Sequence, residues 1–247
     1  MCPIKIIEIA SVASTNQYAE KLLSEKAVDS PICVVTKHQT AGKGQDQNRW
    51  ESEADKNLTF SIICFPDFLP AAQQFELNKA VALSVSDLLK ATLPKENIFI
   101  KWPNDIYIDD RKAAGILIQT SVQNQSMNWA VIGIGINVNQ GVFPEYLPNP
   151  ASVIHYKKTE TSLGTLLEDF LIVFEKRFHQ LKMEEAKQID EDYLKVFYKL
   201  NLRSAFVVKG ERIFATIRGV NQYGWLQLQD DNGSVMEYDI KQVVFCK

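Results

Sequence analysis

The hydrophobic positions change period several times along the chain, and each change marks an element. Ile4 to Ile9 reads as a strand. Ser14-Thr15-Asn16 then offers capping side chains to a helix over Gln17 to Lys26, whose Tyr18, Leu22 and Leu23 fall near one face. Pro31 opens an apolar strand, Ile32 to Val35; a polar, glycine-bearing loop runs from Gln39 to Trp50, and Leu58 to Phe65 reads as the next strand. Phe75, Leu77, Val81, Val85, Leu88 and Leu89 recur at helical spacing, which predicts an amphipathic helix over Ala72 to Lys90 laid on a sheet. Three closely spaced strands follow, Ile98 to Lys101, Asp105 to Ile108 and Ala113 to Thr120, with Asp109-Asp110 as the turn between the last two. From Trp129 to Val138 glycine alternates with branched apolar residues, a pattern that suits a strand deep in a sheet where something else approaches the backbone. The stripe Leu163, Leu166, Leu167, Phe170, Leu171, Phe174 and Phe178 predicts a long helix, and a second helix follows from about Glu184 to Tyr198.

From about residue 200 the texture becomes short strands: Ala205 to Val208, Ile213 to Gly219, Trp225 to Leu228, Val235 to Tyr238 and Val243 to Phe245. Turns at Lys209-Gly210, Tyr223-Gly224 and Asn232-Gly233 separate them, so a small β-barrel is expected over 200–247, after a larger domain over 1–199. Without a repeat or a Pro/Gly/Ser linker between them, the two modules are expected to pack together.

Composition narrows the function classes. The 247 residues carry 27 Lys+Arg against 30 Asp+Glu, a net charge of −3, so there is no bulk attraction toward nucleic acid or anionic membrane. The first residues lack the basic-then-apolar order of a signal peptide, and no run is long and apolar enough to span a bilayer, so the expected location is the cytoplasm. Cys2, Cys33, Cys64 and Cys246 are far apart, as are His38, His155 and His179, which argues against a metal site; Cys33 and Cys64 read as small apolar residues in strands.

Three segments carry candidate chemistry. In Thr40 to Trp50 two glycines, Gly42 and Gly44, free the backbone to approach a ligand, and Lys43 and Arg49 supply positive charge, as a phosphate loop requires. The segment is neither a Walker A loop nor a GxGxxG fingerprint, Gln47 standing where the third glycine belongs, and taken alone it reads better as a solvated surface turn. Lys101-Trp102-Pro103-Asn104-Asp105 and Arg111 to Leu117 lie on paired strands that bring two lysines, an amide and a carboxylate together; alternatively Lys112 is a surface ion pair worth under about 1 kcal/mol and Trp102-Pro103 a core corner. Val131 to Val138 is a buried strand whose terminal Asn137 needs hydrogen-bond partners, which a ligand would provide.

Taken in order, Ser14-Thr15-Asn16, the Gly42 to Trp50 loop, KWPND at 101–105, RKAAGIL at 111–117 and GIGINV at 133–138 closely resemble biotin protein ligases. The likeness continues through Ile213 to Gly219 and Trp225 to Gly233, which look like the family's SH3-like tail. The resemblance implies an α+β fold, a mixed sheet flanked by helices with a small SH3-like β-barrel at its C-terminus. It also implies activation of biotin by MgATP to biotinyl-5′-adenylate and transfer to a lysine of a biotin carboxyl carrier domain. By resemblance Lys112 bridges the biotin carboxylate and the α-phosphate, and Asp105 orients or deprotonates the acceptor amine, or else only holds Lys101 or Mg²⁺. Ser14, Thr15, Asn16 and Gln39 would bond the ureido end of biotin, with Gly44, Gly133 and Gly135 also on the biotin side. Lys43, Gly44, Gln45, Arg49, Trp50, Lys101, Trp102, Asn104 and Asn137 would serve the nucleotide.

The match has departures. Relatives commonly read GRGRxGRxW where this chain has Gly42-Lys43-Gly44-Gln45-Asp46-Gln47-Asn48-Arg49-Trp50, so arginine is missing at 43, 45 and 48 and weaker retention of the adenylate is expected. No helix-turn-helix precedes residue 4, so an enzyme without DNA binding is expected. The alternatives are a lipoate or octanoate ligase on the same sheet and a non-catalytic protein that holds biotin or its carrier. A homodimer through a sheet edge is a further expectation from relatives.

Overall fold

The computed structural model describes residues 4–25, 28–45, 48–183 and 185–246. Its larger sheet has the strand order β1-β2-β3-β7-β6-β5-β4, where β1 is Lys5–Val12, β2 Ile32–Gln39, β3 Leu58–Cys64, β4 Ile98–Lys101, β5 Asp105–Ile108, β6 Arg111–Gln123 and β7 Ser126–Ile136. β1 and β2 run parallel and every other neighbouring pair antiparallel, so the sheet is mixed, as expected. Every residue of β3 is buried because both faces of the sheet are covered, which is why its sequence is nearly continuously apolar.

Helix α1 (Thr15–Glu25) packs against β2, β3 and β7, with Ala19 and Leu22 in a small cluster with Val34, Ile63 and Val131. On the other face lie α2 (Gln74–Thr92) and α4 (Leu163–Lys182), where Phe60 of β3 meets Phe170 of α4 edge to face at 5.0 Å. Alternation along β3 therefore sends Phe60 and Ile62 into the main core and Thr59, Ser61 and Ile63 toward the α1 face. α5 (Ala186–Lys195) packs on α2 and α4. A short helix not read from the sequence, α3 (Val153–Lys157), starts at Ser152 in a capping box closed by His155, where the sequence signal would have been Glu or Gln. Cys33 and Cys64 are buried as expected, and burial pushes the Cys33 thiol up to about 12.

The C-terminal strands β8 (Arg203–Val208), β9 (Glu211–Val220), β10 (Leu226–Gln229), β11 (Val235–Tyr238) and β12 (Val243–Phe245) form one antiparallel sheet in the order β11-β10-β9-β8-β12. This is consistent with an SH3-like unit, but the expected barrel is not closed. The short 3₁₀ turn Ile240–Gln242 carries the chain from β11 at one edge to β12 at the other, and among the described residues these strands do not pair. Phe206, Ile217 and Leu226 join the same apolar cluster as α2 and α4. The Trp102 indole N–H also donates to the Gly224 carbonyl at 2.8 Å. Gly224 has φ +82°, and a Cβ there would stand 2.2 Å from the Phe75 ring, so the turn between β9 and β10 needs glycine on both counts.

Candidate active site

The antiparallel register of β3, β7 and β6 builds a floor in which glycine holds half of the positions. Thr59, Gly135 and Gly115 stand side by side across the three strands, and Ser61, Gly133 and Leu117 form the next row. Above this floor opens a cavity of about 620 Å³, and every residue assigned to biotin, nucleotide or catalysis on sequence grounds lines it. The glycines have neighbours that explain them: a Cβ on Gly133 would stand 2.1 Å from Asn16 Oδ1, and one on Gly135 2.2 Å from the Trp50 indole.

The α1 end of the cavity is a buried polar network. Ser14, Thr15 and Asn16 are all nearly inaccessible. The Thr15 backbone N–H donates to Gln39 Oε1 at 2.8 Å, and Ser61 Oγ donates to Asn16 Oδ1 at 2.6 Å while lying 2.7 Å from Thr15 Oγ1. The Asn16 amide gives its hydrogens to Gln119 Oε1 at 2.8 Å and the Leu117 carbonyl at 3.3 Å, and Gln119 in turn bonds Glu20. Asn16, Thr15 and Gln39 are thus engaged within the chain, and with Ser14 they line this end of the cavity.

The opposite end is charged. Lys112 Nζ lies 2.6 Å from Asp105 Oδ1, with the lysine side chain 33% and the carboxylate 21% exposed. Lys112 is fixed through its backbone: its N–H donates to Asn149 O at 2.9 Å and its carbonyl accepts from Ala151 at 2.7 Å. Its charge partner is therefore Asp105, not the Asp109-Asp110 turn, and Asp105 is not engaged with Lys101. The Lys101 ammonium instead donates to Tyr107 Oη at 3.0 Å and lies 5.1 Å from the Phe245 ring centre. Burial pulls the Lys101 pKa below its ordinary value, against the opposing pull of Asp105.

The glycine-bearing loop closes one side. The Trp50 N–H donates to Gly42 O at 3.0 Å and the Gly44 N–H to Asn48 O at 2.8 Å. Gly42 is required because a Cβ would stand 2.3 Å from the Trp50 carbonyl, so its role is loop closure rather than contact with a ligand. Lys43 and Arg49 are exposed at the cavity edge, and Asp46 and Gln47 lie outside the described residues. The Trp50 ring rests on Gly115 and Gly135, 5.8 Å from Lys112 Nζ; its indole N–H and the neighbouring Thr59 hydroxyl are buried without a partner among the described residues.

The Asn137 amide donates to Ala151 O at 2.9 Å, so the chain itself supplies one of its partners, and the residue also lines the cavity. Asn104 likewise donates to Ile116 O at 2.6 Å, and Trp102 is a core corner anchored on Gly224 that also shows an edge to the cavity. Sequence reading missed Ser61 and Gln119, the wall formed by Phe143, Tyr146, Leu147 and Pro148, and the contribution of Ile240 and Val243 to Phe245. Thr59 and Ser61 carried a signal, since two polar residues spaced by two in an otherwise apolar strand share a face; the 143–148 segment carried none.

Solved structures share this architecture. A biotin protein ligase from Aquifex aeolicus in complex with biotin and ATP superposes with TM-score 0.81 over 98% of this chain and 99% of that one, at 22% identity, which establishes a biotin protein ligase fold. The sequence model of the biotin/lipoate A/B protein ligase family matches residues 8–137, more than half of the chain, and the chain belongs to that family. The bifunctional ligase/repressor BirA of Bacillus spizizenii is 32% identical over 170 residues, covering 68% of this chain but 51% of its own length, so the chain spans about half of that relative. The biotin–[acetyl-CoA-carboxylase] ligase of Paracoccus denitrificans is 27% identical over 92% of both chains.

Proposed function

We propose that this chain is a biotin protein ligase: it condenses biotin with ATP to biotinyl-5′-adenylate and transfers the biotinyl group to a lysine of a biotin carboxyl carrier domain, as a carboxylase subunit provides. The observation that carries the reading is the convergence of the KWPND, RKAAGIL and GIGINV segments on one cavity, with Lys112 and Asp105 2.6 Å apart beside a glycine floor.

In the first step a biotin carboxylate oxygen attacks the α-phosphorus of ATP and pyrophosphate leaves. The two anions repel by about 4 kcal/mol at ~4 Å and an effective dielectric near 20. Lys112 offsets this where the carboxylate meets the phosphate, and Lys101, Lys43 and Arg49 add cationic charge for the phosphates. Ser14, Thr15 and Gln39 bond the ureido end, and Asn16 holds that network in place through Ser61 and Gln119. The rings lie along the β7 backbone beside Gly133 and Gly135, between Asn16 and the Trp50 ring that cover those glycines. Gln45, Asn48 and Gly44 close the loop side, Trp102, Asn104 and Asn137 shape the nucleotide side, and Trp50 shields the acyl phosphate from water.

In the second step the acceptor amine attacks the acyl carbon, AMP leaves and the amine proton must go to a base. A free lysine with a pKa near 10.4 is almost wholly charged at neutral pH, and Asp105 is the carboxylate placed to orient and deprotonate it. Among the described residues no group of three or more His, Cys, Asp or Glu side chains is arranged to hold a metal ion. A magnesium ion carried on the nucleotide phosphates would neutralise part of their charge.

The test is intact-mass spectrometry of a biotin carboxyl carrier domain incubated with the protein, MgATP and equal biotin and lipoate, with Lys112→Ala as control. A Lys112-dependent gain of one biotin is expected. A lipoyl gain instead assigns the chain to the lipoate branch of the family, and no gain on a carrier that a known ligase modifies assigns it a binding role.

A further inference from the structure

The C-terminal sheet does more than cap the core, because it reaches the charged end of the cavity. β12 places Phe245 against Lys101, with Nζ 5.1 Å from the ring centre, while Tyr107 of β5 accepts a hydrogen bond from the same ammonium at 3.0 Å. Phe245 is itself wedged against Phe206 of β8, with ring centres 5.2 Å apart, and Tyr198, at 6.5 Å. Tyr107 is seated by Tyr198 at 5.3 Å, and the Tyr198 hydroxyl donates to Asp110 at 2.7 Å. The lysine thus enters an aromatic slot whose walls come from both sheets, and each wall is braced from behind.

We infer that Phe245 and Tyr107 are positioning residues for Lys101: the π face of one and the hydroxyl of the other fix the ammonium at the cavity edge, so that the C-terminal sheet sets the nucleotide-phosphate affinity of a lysine on the other sheet. The proposal deepens the ligase reading and rests on it. A lysine stem has four rotatable carbons, and holding its head before the nucleotide arrives removes part of the ordering cost of phosphate binding. Among the described residues the ammonium makes one hydrogen bond, to Tyr107, which leaves its remaining N–H groups available to phosphate oxygens. Desolvation by the same rings also strengthens its attraction for an anion, consistent with the lowered pKa of this lysine.

The test measures pyrophosphate release in the adenylation step, with MgATP and biotin varied separately, for wild type, Phe245→Leu, Phe245→Tyr, Tyr107→Phe and Lys101→Ala, and for Phe245→Leu combined with Lys101→Ala. Phe245→Leu and Tyr107→Phe are each expected to raise the KM for MgATP by about threefold to tenfold and leave the KM for biotin unchanged, with Phe245→Tyr restoring the wild-type value. In the Lys101→Ala background Phe245→Leu should add nothing further. The inference is overturned if Phe245→Leu is as costly in the Lys101→Ala background, if it raises both KM values alike, or if neither single variant moves the KM for MgATP. Wild type without pyrophosphate release would overturn the ligase reading, and this inference with it; an active wild type with any of the preceding results overturns the inference alone.

Discussion

Lys112 Nζ and Asp105 Oδ1 are 2.6 Å apart on neighbouring strands, brought together by a register shift between Ile106 and Tyr107 where β5 pairs with β6. A lysine that bridges carboxylate and phosphate and a carboxylate that receives the acceptor proton would act in successive steps. Lys112→Ala should lower adenylation by about a hundredfold or more. Asp105→Asn should slow transfer from preformed biotinyl-adenylate by roughly tenfold or more while affecting adenylation less. Single-turnover transfer to a carrier domain checks the assignment, and transfer at the wild-type rate would remove the base role from Asp105.

Ser61 is fully buried and sits between Thr15 and Asn16. Ser61→Ala leaves Asn16 Oδ1 without its donor, a loss of about 1–3 kcal/mol that should fall on the biotin end of the site. The expected result is a raised KM for biotin with the KM for MgATP unchanged, read by steady-state adenylation assays. An equal rise in both would show a general loss of packing.

The two floor glycines should fail differently. In Gly133→Ala the new methyl meets the buried Asn16 amide, which is tied to Gln119 and Leu117, so stability and biotin binding should fall together. In Gly135→Ala it meets the ring of Trp50, which is held by its loop and not by side-chain hydrogen bonds among the described residues. Thermal melting should separate them, with a larger drop for Gly133→Ala, and a change in Trp50 fluorescence is expected for Gly135→Ala alone.

Gln45 lines the cavity at a position where the resemblance to biotin protein ligases implies a loop arginine. Gln45→Arg should slow release of biotinyl-adenylate by about threefold or more, since a guanidinium engages phosphate through paired hydrogen bonds. Release is followed by trapping the free adenylate, and equal rates would show that the altered loop retains it by other means.

Away from the site, Arg177 on α4 joins Asp87 of α2 and Asp192 of α5, each at 2.8 Å. Burial raises the Asp192 carboxyl, but hydrogen bonds from Arg177, Lys195 and Gln188 outweigh it and hold the pKa down to about 2. A carboxyl depressed by folding contributes stability above its unfolded pKa, near 3.8, and loses it as pH falls toward 2. Asp192→Asn should therefore lower the melting temperature at pH 7, with the difference shrinking between about pH 4 and pH 2.

The periodicity of the sequence carried most of the larger sheet, because β3 is covered on both faces and α4 on one, whereas α2, read as amphipathic, is enclosed nearly all round from Lys79 to Ser86. It did not carry the open edge of the C-terminal sheet, since strands of three and four residues look the same whether or not a barrel closes. At the site, the motif residues were legible because their chemistry is unusual for their surroundings. Asn137 was legible only in part: an amide at the end of an apolar strand asks for partners, and the sequence does not say that Ala151 supplies one of them. The Phe143 to Pro148 wall and the approach of Phe245 depend on how distant segments fold back, which local pattern does not encode.

The glycine floor has a thermodynamic consequence. Gly115, Gly133 and Gly135 leave the middle of a buried sheet packed mainly by Asn16 and the Trp50 ring, and glycine in a strand also loses more chain freedom on folding. A molecule seated in the cavity beside them adds contacts that this layer lacks. Occupancy and fold stability are then one equilibrium, and a ligand at a hundred times its Kd should stabilise the native state by about 2.7 kcal/mol, so the melting temperature becomes a gauge of its concentration.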